Sequence, residues 1–231
     1  SAYVSSSLKA NLLLQTVVSE WGVICGPYAL GEKYSHSAFI NNYETTNSEG
    51  PWGKTSEALG NVLFFNSSSS KYCTRKIPFD MEYSDIQAGI GYPHSTFAVF
   101  TTDETLMVRA EAKAMLGRYQ DAVDDLNIEL SAMSLTGAQL TLDDIKTFYS
   151  DSKTKYYTPT NPTPRKMLHT AFAIEQTTQE PLLQCILHLR RILTIHEGMR
   201  MQDVKRYGIT IYRRTVRSNY KITEVTDTME A

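Results

Sequence analysis

Residues 109–127 read RAEAKAMLGRYQDAVDDLN, and this stretch narrows the fold more than any other. Ala110 and Ala114 recur at helical spacing, then Leu116-Gly117 interrupts, then Ala122, Val123, Leu126 and Leu130 resume one apolar face. A glycine after a periodic run ends a helix, because it takes the left-handed conformation that other residues resist. The pattern therefore predicts two helices folded back on each other, with small residues letting the backbones approach. Thr102 or Asp103 caps the first helix, whose inner face carries Leu106, Ala110 and Ala114. Asp121, Asp124 and Asp125 are expected to face solvent.

Similar reasoning orders much of the chain downstream of this hairpin. Thr141 and Asp144 form a capping-box pattern ahead of Leu142, Ile145, Phe148 and Tyr149. Pro159, Pro162 and Pro164 mark residues 150–166 as a loop. Pro181 suits the first turn of a helix with an apolar stripe of Leu182, Cys185, Ile186, Leu189, Ile192 and Leu193. Residues 199–207 read as helical, and Ile209 to Tyr212 as β-prone. Upstream, residues 8–18 (LKANLLLQTVV) read as a short helix. From there to about residue 100, glycine, serine, asparagine, proline and aromatic residues mix without long periodicity. Long irregular segments of this kind are usually functional, and the density of rings argues for order.

The net charge of -2 over 231 residues gives no basic surface for nucleic acid. Cys25, Cys73 and Cys185 are odd in number and show no CxxC spacing, so a disulfide framework is not expected; Cys185 reads as packing. His196-Glu197 opens like a zinc-binding HExxH, but residue 200 is arginine, so the second ligand is missing. Gly89-Ile-Gly91 lacks the third glycine of a dinucleotide loop. No nucleophile, metal or cofactor site is expected. The chain holds 14 tyrosines against 8 phenylalanines and 2 tryptophans. Exposed rings with neighbouring amides form platforms for sugars or peptides. Trp52, in the turn-rich SEGPWG, and Tyr28, Tyr34, Tyr43 and Asn42 are the candidate ligand-binding residues.

Gly117, Tyr119, Ala122 and Leu126 stand at the spacing of a tetratricopeptide half-repeat. Residues 197–208, EGMRMQDVKRYG, resemble a signature of the SusD/RagB family of outer-membrane nutrient-binding lipoproteins. Its matching positions are Glu197, Gly198, Arg200, Asp203, Lys205, Arg206 and Gly208. Leu106, Arg109, Ala110, Glu111 and Ala112 resemble the segment that leads that family's helical hairpin. The resemblance implies a mainly α fold: a SusD-like α-helical domain with tetratricopeptide-like hairpins, long irregular loops and minor β structure. It implies one domain over 1–231, irregular and aromatic-rich over 1–100 and helical over 101–231, as a C-terminal fragment or trimmed core of a longer protein.

The function implied is non-catalytic. Such a protein captures glycan or oligopeptide nutrients at the cell surface for a TonB-dependent SusC-like outer-membrane transporter. It is tethered by a lipid anchor that this chain lacks, and it uses no cofactor. Arg109, Glu111, Glu197, Arg200, Asp203 and Arg206 are expected to be structural, pairing helix ends across the two motifs. The alternative is a tetratricopeptide-like scaffold for protein–protein interaction, which needs several stacked hairpins.

Overall fold

The computed structural model describes residues 11–20, 38–45, 47–54, 64–66, 72–74, 77, 79–133, 139–195 and 197–231. The chain divides into two compact units. One comprises residues 1–38 and 60–105, the other residues 39–59 and 106–231.

In the first unit, β1 (Asn11–Val18), β6 (Phe79–Asp85) and β7 (Ile90–Thr101) form an antiparallel sheet in the order β1-β7-β6. β4 (Phe64–Asn66) and β5 (Tyr72–Thr74) form a separate two-stranded pair. The helix expected over residues 8–18 is overturned: residues 11–18 are a strand. A short apolar run has no decisive period, and here Thr16, Val17 and Val18 find partners on β7 at Thr96, Ser95 and His94. The β6–β7 hairpin is closed by Asp85, whose side chain accepts from the Gln87 and Ala88 amides at 3.0 Å. Pro93 argues against a central strand. It is tolerated because its carbonyl still accepts from the Ser19 amide at 2.9 Å, while the Ser19 carbonyl accepts from the Ser95 hydroxyl at 2.7 Å in place of the missing N–H.

The second unit is built on helices. In chain order they are α1 (Ala38–Glu44), α2 (Thr102–Met115), α3 (Tyr119–Ala132), α4 (Leu142–Phe148), α5 (Gln179–Leu193) and α6 (Arg200–Tyr207). The hairpin read from residues 109–127 is present as α2 and α3, with Gly117 at φ +74° between them. Ala110, Ala114, Ala122, Val123 and Leu126 are fully buried. Thr141 caps α4 in a complete capping box with Asp144. α5 is buried around almost its whole circumference, polar residues included, so each of those polar groups must find a partner inside. β2 (Glu49–Gly50) pairs with β3 (Gly53–Lys54), and β8 (Ile211–Val216) with β9 (Ile222–Met229). The β-prone residues Ile211 and Tyr212 thus open a C-terminal hairpin.

The mainly α expectation is corrected to a mixed α/β architecture: helices and strands both take a large share of the described residues. Apart from the start of β8, the strands went unread because cross-strand partners, not local periodicity, hold them: Asn11 pairs with Thr101, and Phe79 with Ser95.

Candidate functional site

The second unit contains an open cleft of about 660 Å³. One wall is the end of α1, with Asn42 and Tyr43, continued by Asn47, Ser48 and Glu49. The other is Phe148 with the loop 153–164, which contributes Lys153, Lys155, Asn161 and Pro162. Tyr43 is 40% exposed, and its ring is fixed between Phe39 at 5.1 Å and Tyr220 at 6.3 Å. A ring held on both sides loses little entropy when a ligand stacks on it. Asn42 accepts from the Asn47 amide at 3.0 Å, and Asn161 donates to the Tyr156 carbonyl at 3.0 Å. Each amide keeps further hydrogen-bonding capacity.

Of the five candidate ligand residues, the cleft gathers Tyr43 and Asn42. Trp52 is placed differently: it is only 7% exposed, its ring 5.0 Å from that of His188. The turn-rich setting did not expose it, because the β2–β3 turn folds the indole onto α5. Tyr28 and Tyr34 lie outside the described residues.

Seven residues are too few for α1 to be stable alone; Glu44 anchors it. Its carboxylate accepts from Lys166 at 2.8 Å, Arg191 at 2.9 Å and Arg214 at 3.4 Å. Lys166 also lies 3.3 Å from the centre of the Tyr157 ring. Burial pushes the Glu44 carboxyl up, but Lys166 and Arg191 outweigh it and pull it down to about 2. Burial also drives the Lys166 amine well below its ordinary range, against the attraction of Glu44. So α1 presents Tyr43 to the cleft and sinks the next residue into a buried cluster of cations.

A second buried chain runs behind the cleft. Ser48 Oγ lies 2.7 Å from His188 Nε2 and 2.5 Å from the Thr45 carbonyl, and Tyr149 Oη lies 2.9 Å from His188 Nδ1. A serine–histidine pair is the starting point for nucleophilic catalysis, but the hydrogens here run the other way. Ser48 donates to Thr45 and Tyr149 donates to Nδ1, so Nε2 carries the ring proton and donates to Ser48. Burial, reinforced by the charges of Arg191, Lys166 and Arg200, lowers the ring to about 3. At neutral pH it is a fixed, uncharged strut.

That strut makes stability depend on pH. Below its ordinary 6.5 the unfolded His188 takes a proton, which the folded protein refuses until about 3. Stability is therefore complete above pH 6.5 and falls on acidification, by roughly 3 kcal/mol between pH 6.5 and 4.5. Glu44, lowered from 4.5 to about 2, adds a loss of the same sign below 4.5. Urea midpoints followed from pH 7 to 4.5 are expected to decline in the parent chain and stay nearly level in His188→Gln. Equal slopes would remove His188 as the cause.

The two sequence motifs meet at Glu111. Its carboxylate accepts from Arg190 and Tyr207 at 2.5 Å each, and from Arg206 at 2.8 Å. Arg190 also pairs with Asp203, and Arg200 stands 3.7 Å from Asp203. Burial raises the Glu111 carboxyl, but Arg190, Tyr207 and Arg206 together hold it below its ordinary value. Gly208 closes α6 at φ +59°, where a Cβ would stand 2.2 Å from the His169 carbonyl oxygen. Glu111 and Arg206 thus meet directly across the two motifs, whereas Asp203 reaches Glu111 only through Arg190.

Arg109 does something else. It forms a two-point contact with Asp125, at 3.0 and 2.6 Å, shared with Lys113 at 2.7 Å. Asp125 is accordingly 1% exposed and does not face solvent as its position suggested. Glu197 donates its backbone amide to the Thr194 carbonyl at 3.1 Å. Sequence reasoning missed Glu44, Lys166, His188 and Arg190. Only the placement of His188 and Arg190 within the apolar stripe of α5 hinted at buried roles.

Among the described residues no group of three or more His, Cys, Asp or Glu side chains is arranged to hold a metal ion, and no helix is long and apolar enough to cross a membrane. Comparison with family models, with curated proteins and with solved structures returns no match.

Proposed function

We propose that the protein is a non-catalytic binding protein of the SusD/RagB type, capturing glycan or oligopeptide nutrients at the cell surface. It then hands them to a TonB-dependent SusC-like transporter in an outer membrane to which a lipid anchor tethers the protein. The observation that carries this reading is the open cleft with a braced, exposed Tyr43 among three asparagines. Such sites combine a flat apolar face with a few fixed polar groups. The motif resemblance at residues 106–112 and 197–208 supplies the transporter and the membrane.

The test is a panel of oligosaccharides and oligopeptides titrated by calorimetry, with tryptophan fluorescence as a second readout. At least one class is expected to bind, and Tyr43→Ala is expected to weaken it by about tenfold or more, equivalent to about 1.4 kcal/mol. Binding unaffected by Tyr43→Ala moves the site elsewhere. No binding to any member of the panel overturns the reading.

A further inference from the structure

The charges lining the cleft separate its ligands, an inference that rests on the reading of the cleft as a nutrient site. Among the described residues that line it, Glu49 is the one carboxylate, and it is engaged by Lys153 at 3.5 Å. Lys155 lines the same cleft, is exposed, and has no carboxylate partner among the described residues. Behind the wall, Lys166, Arg191 and Arg214 converge on the single carboxylate of Glu44. The region is thus locally cationic in a chain whose formal net charge is -2.

The shape of the lining favours sugars over peptides. Peptides are commonly captured by adding a strand to a sheet edge or by laying a helix in an apolar groove. The cleft is walled by the end of a short helix, the start of the two-residue strand β2 and a proline-containing loop, which supply neither a long strand edge nor an apolar helix groove. They supply instead a ring for the C–H face of a pyranose and three amides for hydroxyls.

We propose that the cleft takes an acidic oligosaccharide, a chain of uronic acid residues, with a sugar face on Tyr43 and a carboxylate on the Lys155 ammonium. A charge-assisted contact of this kind is stronger than a neutral one and weakens with salt when it is exposed. Neutral chains of the same linkage bind more weakly because Lys155 is then left without an anion.

The experiment uses the whole chain and tetrasaccharides of galacturonate, mannuronate and guluronate, each compared with its own methyl ester. Esterification removes the charge and keeps the linkage. At least one free acid is expected to bind about tenfold more tightly than its ester at low salt, a gap worth about 1.4 kcal/mol. That gap is expected to close in Lys155→Gln and in about 0.5 M salt, and to persist in Lys146→Gln, a lysine away from the cleft. Tyr43→Ala weakens acid and ester alike. Equal binding of acid and ester, or binding only of neutral sugars or peptides, overturns the acidic preference and leaves the cleft as a nutrient site. Failure of every acid, ester, neutral sugar and peptide overturns both.

Discussion

Glu44→Gln is expected to destabilise the protein by roughly 3–5 kcal/mol, the cost of leaving buried charge without its partner. Lys166 is 3% exposed and would remain beside Arg191 and Arg214 with no anion to offset them. For a domain of this size such a loss lowers the melting temperature by about 10 °C or more. α1 would lose its anchor, so Tyr43 would leave the cleft wall and ligand binding would fall with stability.

A second signature separates lost charge balance from lost packing. Burial already depresses the Lys166 amine, and without Glu44 it falls further. A base with a lowered folded value gains stability as pH rises through that value, because the unfolded chain still holds the proton. The variant should therefore recover on mild alkalinisation, and adding Lys166→Met should restore part of the loss at neutral pH. A melting point within a degree or two of the parent's would show that Glu44 is not the anchor.

Glu111→Ala is expected to cost a similar 3–5 kcal/mol. It strips Arg190 of one of its two anions and leaves the Tyr207 hydroxyl, in a fully buried residue, without its acceptor. Arg109→Ala, two residues away on the same helix, is expected to cost only about 1 kcal/mol, because its side chain is 56% exposed and solvent screens the pair. Urea unfolding of the two variants should differ in midpoint with an unchanged slope. Comparable losses would mean that Glu111 is one surface pair among several and not the joint between the two motifs.

These two carboxylates differ in how legible they were. Glu111 stands in a motif whose partner segment is also recognisable, so its role came from matching the two. Glu44 stands in no motif. Its partners lie 122, 147 and 170 positions along the chain, and no local pattern links them. Tyr43 and Asn42 were readable as a ring and an amide in an irregular region. Trp52 looked equally available, yet it lies against His188. Turn composition predicts where the backbone reverses and not which neighbour lies beneath the ring.

The same division runs through the fold. Spacing within a few residues dictated the α2–α3 hairpin, the break at Gly117, the capping box at Thr141 and the stripe of α5, because helices are held by bonds four residues apart. β1 had an apolar run of ambiguous period, and its pairing with a strand about eighty residues later decided it, as sheets are held by partners that sequence distance conceals. Burial of Asp125, the strut through His188 and the cation cluster on Glu44 were likewise settled only when distant segments met, since a side chain's charge state and exposure belong to its surroundings and not to its own residue type.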